Sequence, residues 1–311
     1  MKFGIIGDTH FRTESPVNRG EQDFGSVCLK KFENALNIFK QQGVNYIFQT
    51  GDLFDTIHPN YAFVFDILQT KKTILPDVPM FCIHGNHDLK YHSIIYKDVS
   101  ILSFIDKLNN STHSPLFGHG IYLSVKNFSD INVDLCSYGE TPKCNADILV
   151  SHDMVGDKPL FINQQIFDPP QYIDKYKGYT LYIVGHYHYP YNYQKDGITV
   201  VNPGSLVRLS VADRDMNRIP KVAIYDTDNK SLEYFEVTDK KPEDVFLIQE
   251  TPKIEIKRDY SELLKILQSD RQVKISFPDN LQTYCKKDNV RNEVIEFIKY
   301  IETQLKQIER N

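Results

Sequence analysis

Five short polar motifs occur in order along the chain: Asp8-Thr9-His10, Gly51-Asp52, Gly85-Asn86-His87-Asp88, Ser151-His152 and Gly185-His186-Tyr187-His188. Singly each is a weak signal. An Asp-x-His or Gly-Asp step is most often a turn, and an isolated histidine such as His152 is most often a satisfied core or surface residue. Together they offer Asp8, His10, Asp52, Asn86, His152, His186 and His188 as donors to metal ions, with His87 and Asp88 beside them. Carboxylate, carboxamide and imidazole donors suit Mn or Fe better than an all-thiolate site would. Two divalent ions roughly 3.5–4 Å apart clamp the attacking and leaving oxygens of an in-line displacement. A carboxylate shared between them, Asp52 here, offsets their mutual repulsion. The chemistry indicated is hydrolysis of a phosphate ester.

The elements around these motifs must bring them together. An apolar strand over residues 2–7 runs into Asp8, and a helix over 26–42 follows, with Phe32, Leu36 and Phe39 at i, i+4, i+7 and Gly43 as its stop. A strand over 46–50 runs into Gly51-Asp52, a helix spans 61–73, and a strand over 80–83 ends at the Gly85 motif. In such a β-α-β-α-β rhythm, ligands gather at the carboxyl ends of the strands. Asp8 and His10 leave one strand end as i and i+2 and so are expected on one side; His186 and His188 stand in the same relation. Glycines beside these residues let the backbone turn sharply.

Further strands are expected over 121–125, 133–137, 148–151, 180–185, 199–202, 222–226 and 232–237, with a hairpin turn at Lys195-Asp196-Gly197. The fold class is α/β: two packed sheets flanked by helices. A polar stretch over 238–244 reads as a linker between a core domain, 1–238, and a small α+β cap, 245–311. The cap would hold strands at 253–257 and 272–277 and helices at 260–268 and 289–309.

Bulk properties narrow the class. The 311 residues are 41% hydrophobic and 25% charged, as in ordinary globular chains. No apolar run reaches the length of a membrane span, and the N-terminus does not read as a secretory signal, so a cytoplasmic location is expected. Five cysteines without CxxC spacing make neither a disulfide framework nor a zinc site. A net charge of −5 argues against bulk attraction to nucleic acid, so a DNA substrate would need local patches or a partner.

The ordered motifs resemble those of the calcineurin-type metallophosphoesterase superfamily, and within it the SbcD-type nucleases of the meiotic recombination 11 family. The narrower resemblance rests on Gly51-Asp52-Leu53-Phe54-Asp55 and on Asn202-Pro203-Gly204-Ser205-Leu206-Val207-Arg208-Leu209-Ser210, similar to a Pro-Gly-Ser-x-x-Arg-x-Ser segment. The resemblance implies a two-sheet metallophosphoesterase sandwich. One metal would be held by Asp8, His10, Asp52 and His188, the other by Asp52, Asn86, His152 and His186. His87 would act as a non-ligand acid toward the leaving oxygen, with Asp88 orienting its ring and Arg208 buttressing the fold. It further implies a Mn²⁺-dependent DNA nuclease working in repair or recombination, with an SbcC-like SMC-type ATPase and a second copy of the chain as partners.

Several readings stay open. His87 could simply pack beside the metals, and Asp88 could cap a following helix. Some relatives carry His where Asp55 stands here; His58, three residues on, is read as a solvated loop residue. Tyr187 and Tyr189 could face substrate or serve the core. Lys257-Arg258 and Lys286-Lys287 could grip a DNA backbone or be solvated. The apolar stripe Val290, Val294, Phe297, Ile301, Leu305 and Ile308 suits a cap helix or an association surface. Family members carry a further helical segment that docks on the ATPase, which is not evident before Asn311. A stand-alone enzyme for a nucleotide or other small phosphate ester is therefore the rival reading. A scaffold without turnover is a third, though no expected ligand is missing.

Overall fold

The computed structural model describes residues 1–110, 121–123, 131–160, 164–238 and 240–247. They fall within one compact unit, Met1–Gln249. The elements are β1 (Lys2–Ile6), α1 (Phe24–Gln42), β2 (Tyr46–Gln49), α2 (Tyr61–Ile74), β3 (Met80–Cys82), α3 (Ile101–Asn110), β4 (Ile121–Tyr122) and β5 (Val133–Cys136). They continue with β6 (Ile148–Ser151), α4 (Pro169–Lys175), β7 (Leu181–Val184), β8 (Tyr191–Lys195), β9 (Ile198–Asn202), α5 (Asp213–Met216), β10 (Lys221–Asp226) and β11 (Ser231–Glu236).

Two sheets form. The first has the order β11-β10-β1-β2-β3-β4 and the second β5-β6-β7-β9-β8. β1 to β4 run parallel, as do β5, β6, β7 and β9. All the motif-bearing strands therefore point their carboxyl ends the same way within their own sheet.

Alternation along each strand separates the layers. Phe3 and Ile5 of β1 turn inward with Phe48, Phe81, Ile148, Val150, Leu181 and Ile183, forming the apolar layer between the sheets. Ile6, Ile47, Met80 and Cys82 turn outward beneath Phe32, Leu36 and Phe39 of α1 and Ile67 of α2. On the other side Leu149, Tyr182 and Val184 meet Tyr172 of α4. The α/β two-sheet sandwich flanked by helices is thus the observed fold.

Local sequence sets the helix ends. Asp23 accepts the N–H of Ser26 at 3.0 Å and Gly43, at φ 67°, closes α1. Asn60 accepts from Ala62 and Phe63 at the start of α2. Asp196 (φ 51°) and Gly197 (φ 79°) make the β8–β9 hairpin turn. No described helix is long and apolar enough to cross a membrane.

The residues just after the 238–244 stretch, expected to open the cap, are hydrogen-bonded to the core: Gly20 N–H donates to Val245 O at 3.0 Å and Leu247 N–H to Asn18 O at 2.8 Å. Burial of Val245 and Phe246 supplies the reason. The expected cap elements, both basic pairs and the apolar stripe lie outside the described residues.

Candidate metal centre

The loops leaving β1, β2 and β3 of one sheet and β6 and β7 of the other converge. Three sets of donors result, each with one ligand atom per residue and all within 4.8 Å of one another: Asp8, His10, Asp52 and His188; Asp52, His152 and His186; and, at the edge, His10, Asp55 and His87. The first two hold the motif ligands. Asp52 belongs to both. Its Oδ2 lies 3.7 Å from His10 Nε2 and 3.3 Å from His152 Nε2. His188 Nε2 is 3.3 Å from Asp8 Oδ2 and 3.0 Å from His10 Nε2. Asn86 joins the second set, its Oδ1 lying 3.1 Å from His152 Nε2.

The backbone route differs from the one the i, i+2 spacing suggests. β1 ends at Ile6 and β7 at Val184, so neither pair lies on a strand. His10, Asp52 and His186 instead take positive φ (44°, 51° and 67°), a costly conformation for residues with a Cβ. The kinks turn these side chains inward. Two glycines leave the room: a Cβ on Gly85 would stand 2.0 Å from Asp52 Oδ1, and one on Gly185 2.4 Å from Thr50 O and 2.8 Å from Asp8 Oδ1.

The imidazoles are held from behind. His152 Nδ1 lies 2.7 Å from Thr50 O, and His10 Nδ1 lies 3.0 Å from Asp55 Oδ1. Asp55 also accepts from Arg12 Nη1 at 2.7 Å. Asp55, the last residue of the Gly51–Asp55 segment, and Arg12, which no motif marked, complete its edge.

Charge is crowded. Burial would raise Asp52, but the charge of His152, their hydrogen bond and His10 hold it well below the usual carboxylate range. Burial likewise opposes, and the His188 hydrogen bond enforces, a lowered Asp8. Burial would lower His152, yet Asp52 outweighs it and pushes His152 up to about 10. His186 is drawn down to about 4 by burial and then by the charge of His152. Two buried carboxylates here demand a positive charge between them, from a proton or a cation. Carboxylate, imidazole and carboxamide donors fit a divalent cation in that role.

His87 stands at the mouth, its side chain 38% exposed. Its ring centroid lies 4.9 Å from that of His10, and its Nδ1 lies 3.2 Å from Asp55 O. Asp88 does not orient that ring. Its carboxylate instead accepts the N–H groups of Gly85 (2.9 Å), Leu53 (3.2 Å) and Phe54 (3.0 Å), and no described helix begins on it. Three unpaired donors at the β2 and β3 loops are the physical reason: the nearest acceptor is taken up by backbone. Burial and then Asp52 push this carboxyl up to about 7.

Other candidates resolve individually. His58 is exposed and in none of the donor sets. His84 is buried among Ser100, Ser103 and Ser137. Tyr187 is buried, its hydroxyl bonded to Asp157 and Arg214, and Arg214 also lies 5.0 Å from the ring of Tyr189. Tyr138, unremarked in the sequence, lies edge-on to His152 and tilted toward His186 at 6.1 and 5.6 Å. The 202–210 segment flanks the site: Leu206 N–H donates to Asp8 O at 2.8 Å and Ser205 N–H to His188 O at 3.0 Å. Arg208 is buried behind it, donating from Nε to Arg218 O at 2.8 Å.

Over 198 residues the chain is 25% identical to the DNA double-strand break repair protein Mre11 of Sulfolobus acidocaldarius. That similarity covers 60% of this chain and spans half the length of the relative. Among solved structures, an archaeal phosphodiesterase aligns at 17% identity over 76% of this chain and 99% of its own, with a TM-score of 0.42. The protein TT1561 of Thermus thermophilus aligns at 12% identity over the same shares, with a TM-score of 0.48. Residues 1–230, carrying every donor described above, match the calcineurin-like phosphoesterase superfamily domain, and the chain belongs to that superfamily.

Proposed function

We propose that this chain is a DNA nuclease of the SbcD type that hydrolyses phosphodiesters with two Mn²⁺ ions and serves repair or recombination. The observation that carries the reading is Asp52, common to two sets of donors. Asp8, His10, Asp52 and His188 would hold one ion, and Asp52, Asn86, His152 and His186 the other. When bound, such ions supply Lewis-acid charge for the phosphoryl group and lower the pKa of water.

The chain's own residues supply positioning and a proton. A carbonyl behind His152 and a carboxylate behind His10 fix ring orientation. His87 Nδ1 donates to Asp55 O, which leaves Nε2 to carry the proton given to the departing oxygen. The Asp55 carboxylate lies 3.7 Å from Nδ1 of that ring. Asp88 keeps the loops of Leu53 and Gly85 in place.

A DNA substrate is supported by the 25% likeness to a double-strand break repair protein and by the Gly51–Asp55 and 202–210 segments. An SbcC-like SMC-type ATPase and a second copy of this chain are the partners this reading implies. The net charge of −5 favours a second reading, a phosphoesterase for a nucleotide or other small ester, which needs no extended basic groove.

The deciding experiment incubates the protein with Mn²⁺ and end-labelled duplex and single-stranded DNA, beside a small phosphodiester, with His87→Ala as control. Cleavage of DNA that is lost in His87→Ala supports the nuclease. Hydrolysis of the small diester alone moves the assignment to the second reading.

A further inference from the structure

Away from the metal centre, a cavity of about 290 Å³ opens between α1 and the chain around Val237 to Val245. Lys31 and Asn34 of α1 line one wall, and Arg208 and Lys240 line the other. Lys31 and Arg208 are nearly inaccessible, at 6% and 1% exposure. Arg208 spends Nε on Arg218 O and Nη1 on Lys240 O, but its Nη2 is buried with no hydrogen-bond partner among the described residues. No ion pair or hydrogen bond holds the Lys31 ammonium among the described residues, and its Nζ, unlike Arg208 Nη2, keeps some access to the cavity.

A buried guanidinium N–H without a partner is costly and rare. Among the described acids, Asp215 and Glu243 act on Arg208 through charge, while Glu21 and Glu33 are committed elsewhere. Glu21 receives both Nε (2.9 Å) and Nη2 (2.6 Å) of Arg19, and Glu33 faces Lys30 at 3.3 Å. Burial, with Arg19 and Arg218 adding to it, draws the Lys31 ammonium down to about 7, so an anion in the cavity would restore its charge. A guanidinium edge and ammonium groups from separate walls suit an acceptor with oxygens in several directions, and the volume exceeds what a single carboxylate fills.

We infer that this cavity is a binding site for a phosphoryl oxyanion, held by Arg208 Nη2 and Lys31 Nζ with Lys240 at the rim. The inference rests on groups outside the metal centre and stands whichever substrate that centre hydrolyses. Free phosphate and the backbone phosphate of a nucleic acid strand share the required chemistry.

The test is thermal unfolding of the full chain in chelator, titrated with inorganic phosphate and separately with a short single-stranded oligonucleotide. Saturable stabilisation of the wild type is expected, with its midpoint moved at least about tenfold higher in Lys31→Met. Lys240→Ala, at an exposed position, is expected to show a smaller shift and keeps the test sound if the buried variant folds poorly. A Lys31-dependent response to the oligonucleotide at lower concentration than to phosphate identifies a strand as the source; a response to phosphate alone identifies the free ion. No stabilisation by either probe, or the same midpoint in wild type and both variants, overturns the site.

Discussion

His152 Nδ1 faces the carbonyl oxygen of Thr50 at 2.7 Å. A carbonyl only accepts, so Nδ1 carries the proton, and Nε2 is turned toward Asp52 and Asn86. His10 repeats the device with Asp55 behind it at 3.0 Å. A backbone acceptor cannot be removed by substitution, but Asp55 can.

Asp55→Ala releases the His10 ring from behind while leaving all seven candidate ligands in the chain. Outer partners of this kind are typically worth about 10–100-fold in metal affinity. We expect a weakening of that order for Mn²⁺ by calorimetry. An unchanged isotherm would mean that the ring is fixed by its neighbours, His87 and His188, alone.

His87→Ala separates proton donation from metal binding. General acid catalysis contributes about 10²–10⁴-fold, and only where the leaving group needs a proton. The expected loss in kcat/KM is of that size for a nucleoside or DNA diester and far smaller for a nitrophenyl ester, with Mn²⁺ affinity retained. Equal losses on both substrates would remove the acid role.

Asp88→Asn distinguishes a loop pin from a ring orienter. The amide cannot accept all three N–H groups of Gly85, Leu53 and Phe54, and each buried donor left unpaired costs about 1–3 kcal/mol. A Tm lower by several degrees is expected. The ratio of rates on the two ester types should stay that of the wild type. A ratio falling to that of His87→Ala would restore Asp88 as the residue orienting the ring.

The sequence reading reached the sheets because β2, β3, β6 and β7 are short apolar runs, each ending in a glycine or polar motif. It reached α1 and α2 through their period and the stops beyond them. It missed α3, α4 and α5, and of β8 it read only the turn that follows. Pro169 and Pro170 open α4 and read as loop, although Asp168 and Gln171 form a capping box. Ile101 to Asn110 of α3 gave no stop signal strong enough to separate it from the preceding turns. At the site, residue types at strand ends were legible, but the left-handed backbone at His10, Asp52 and His186 was not. Such strain is set by the surrounding fold and leaves no mark in local propensity. The backbone role of Asp88 was hidden for a similar reason: its three donors come from two separate loops.

Lys31 ties stability to pH. Its ammonium faces Arg19, Arg208 and Arg218, with the Cys28 thiol on its own helix, and burial first, then these cations, lower it from 10.5 to about 7. Between those values the unfolded chain binds a proton that the folded chain does not. Stability therefore rises with pH from about 7 to 10.5, with a slope of at most about 1.4 kcal/mol per pH unit. Lys71, lowered to about 8 chiefly by burial, adds a slope of the same sign, but it is present in both wild type and Lys31→Met and cancels in their difference. Urea unfolding of the two proteins across that window should show the wild type gaining on the variant as pH rises. Phosphate at saturating concentration should flatten the difference, because a neighbouring anion keeps Lys31 charged in the folded state. A difference independent of pH would mean that the ammonium keeps its ordinary proton inside the fold.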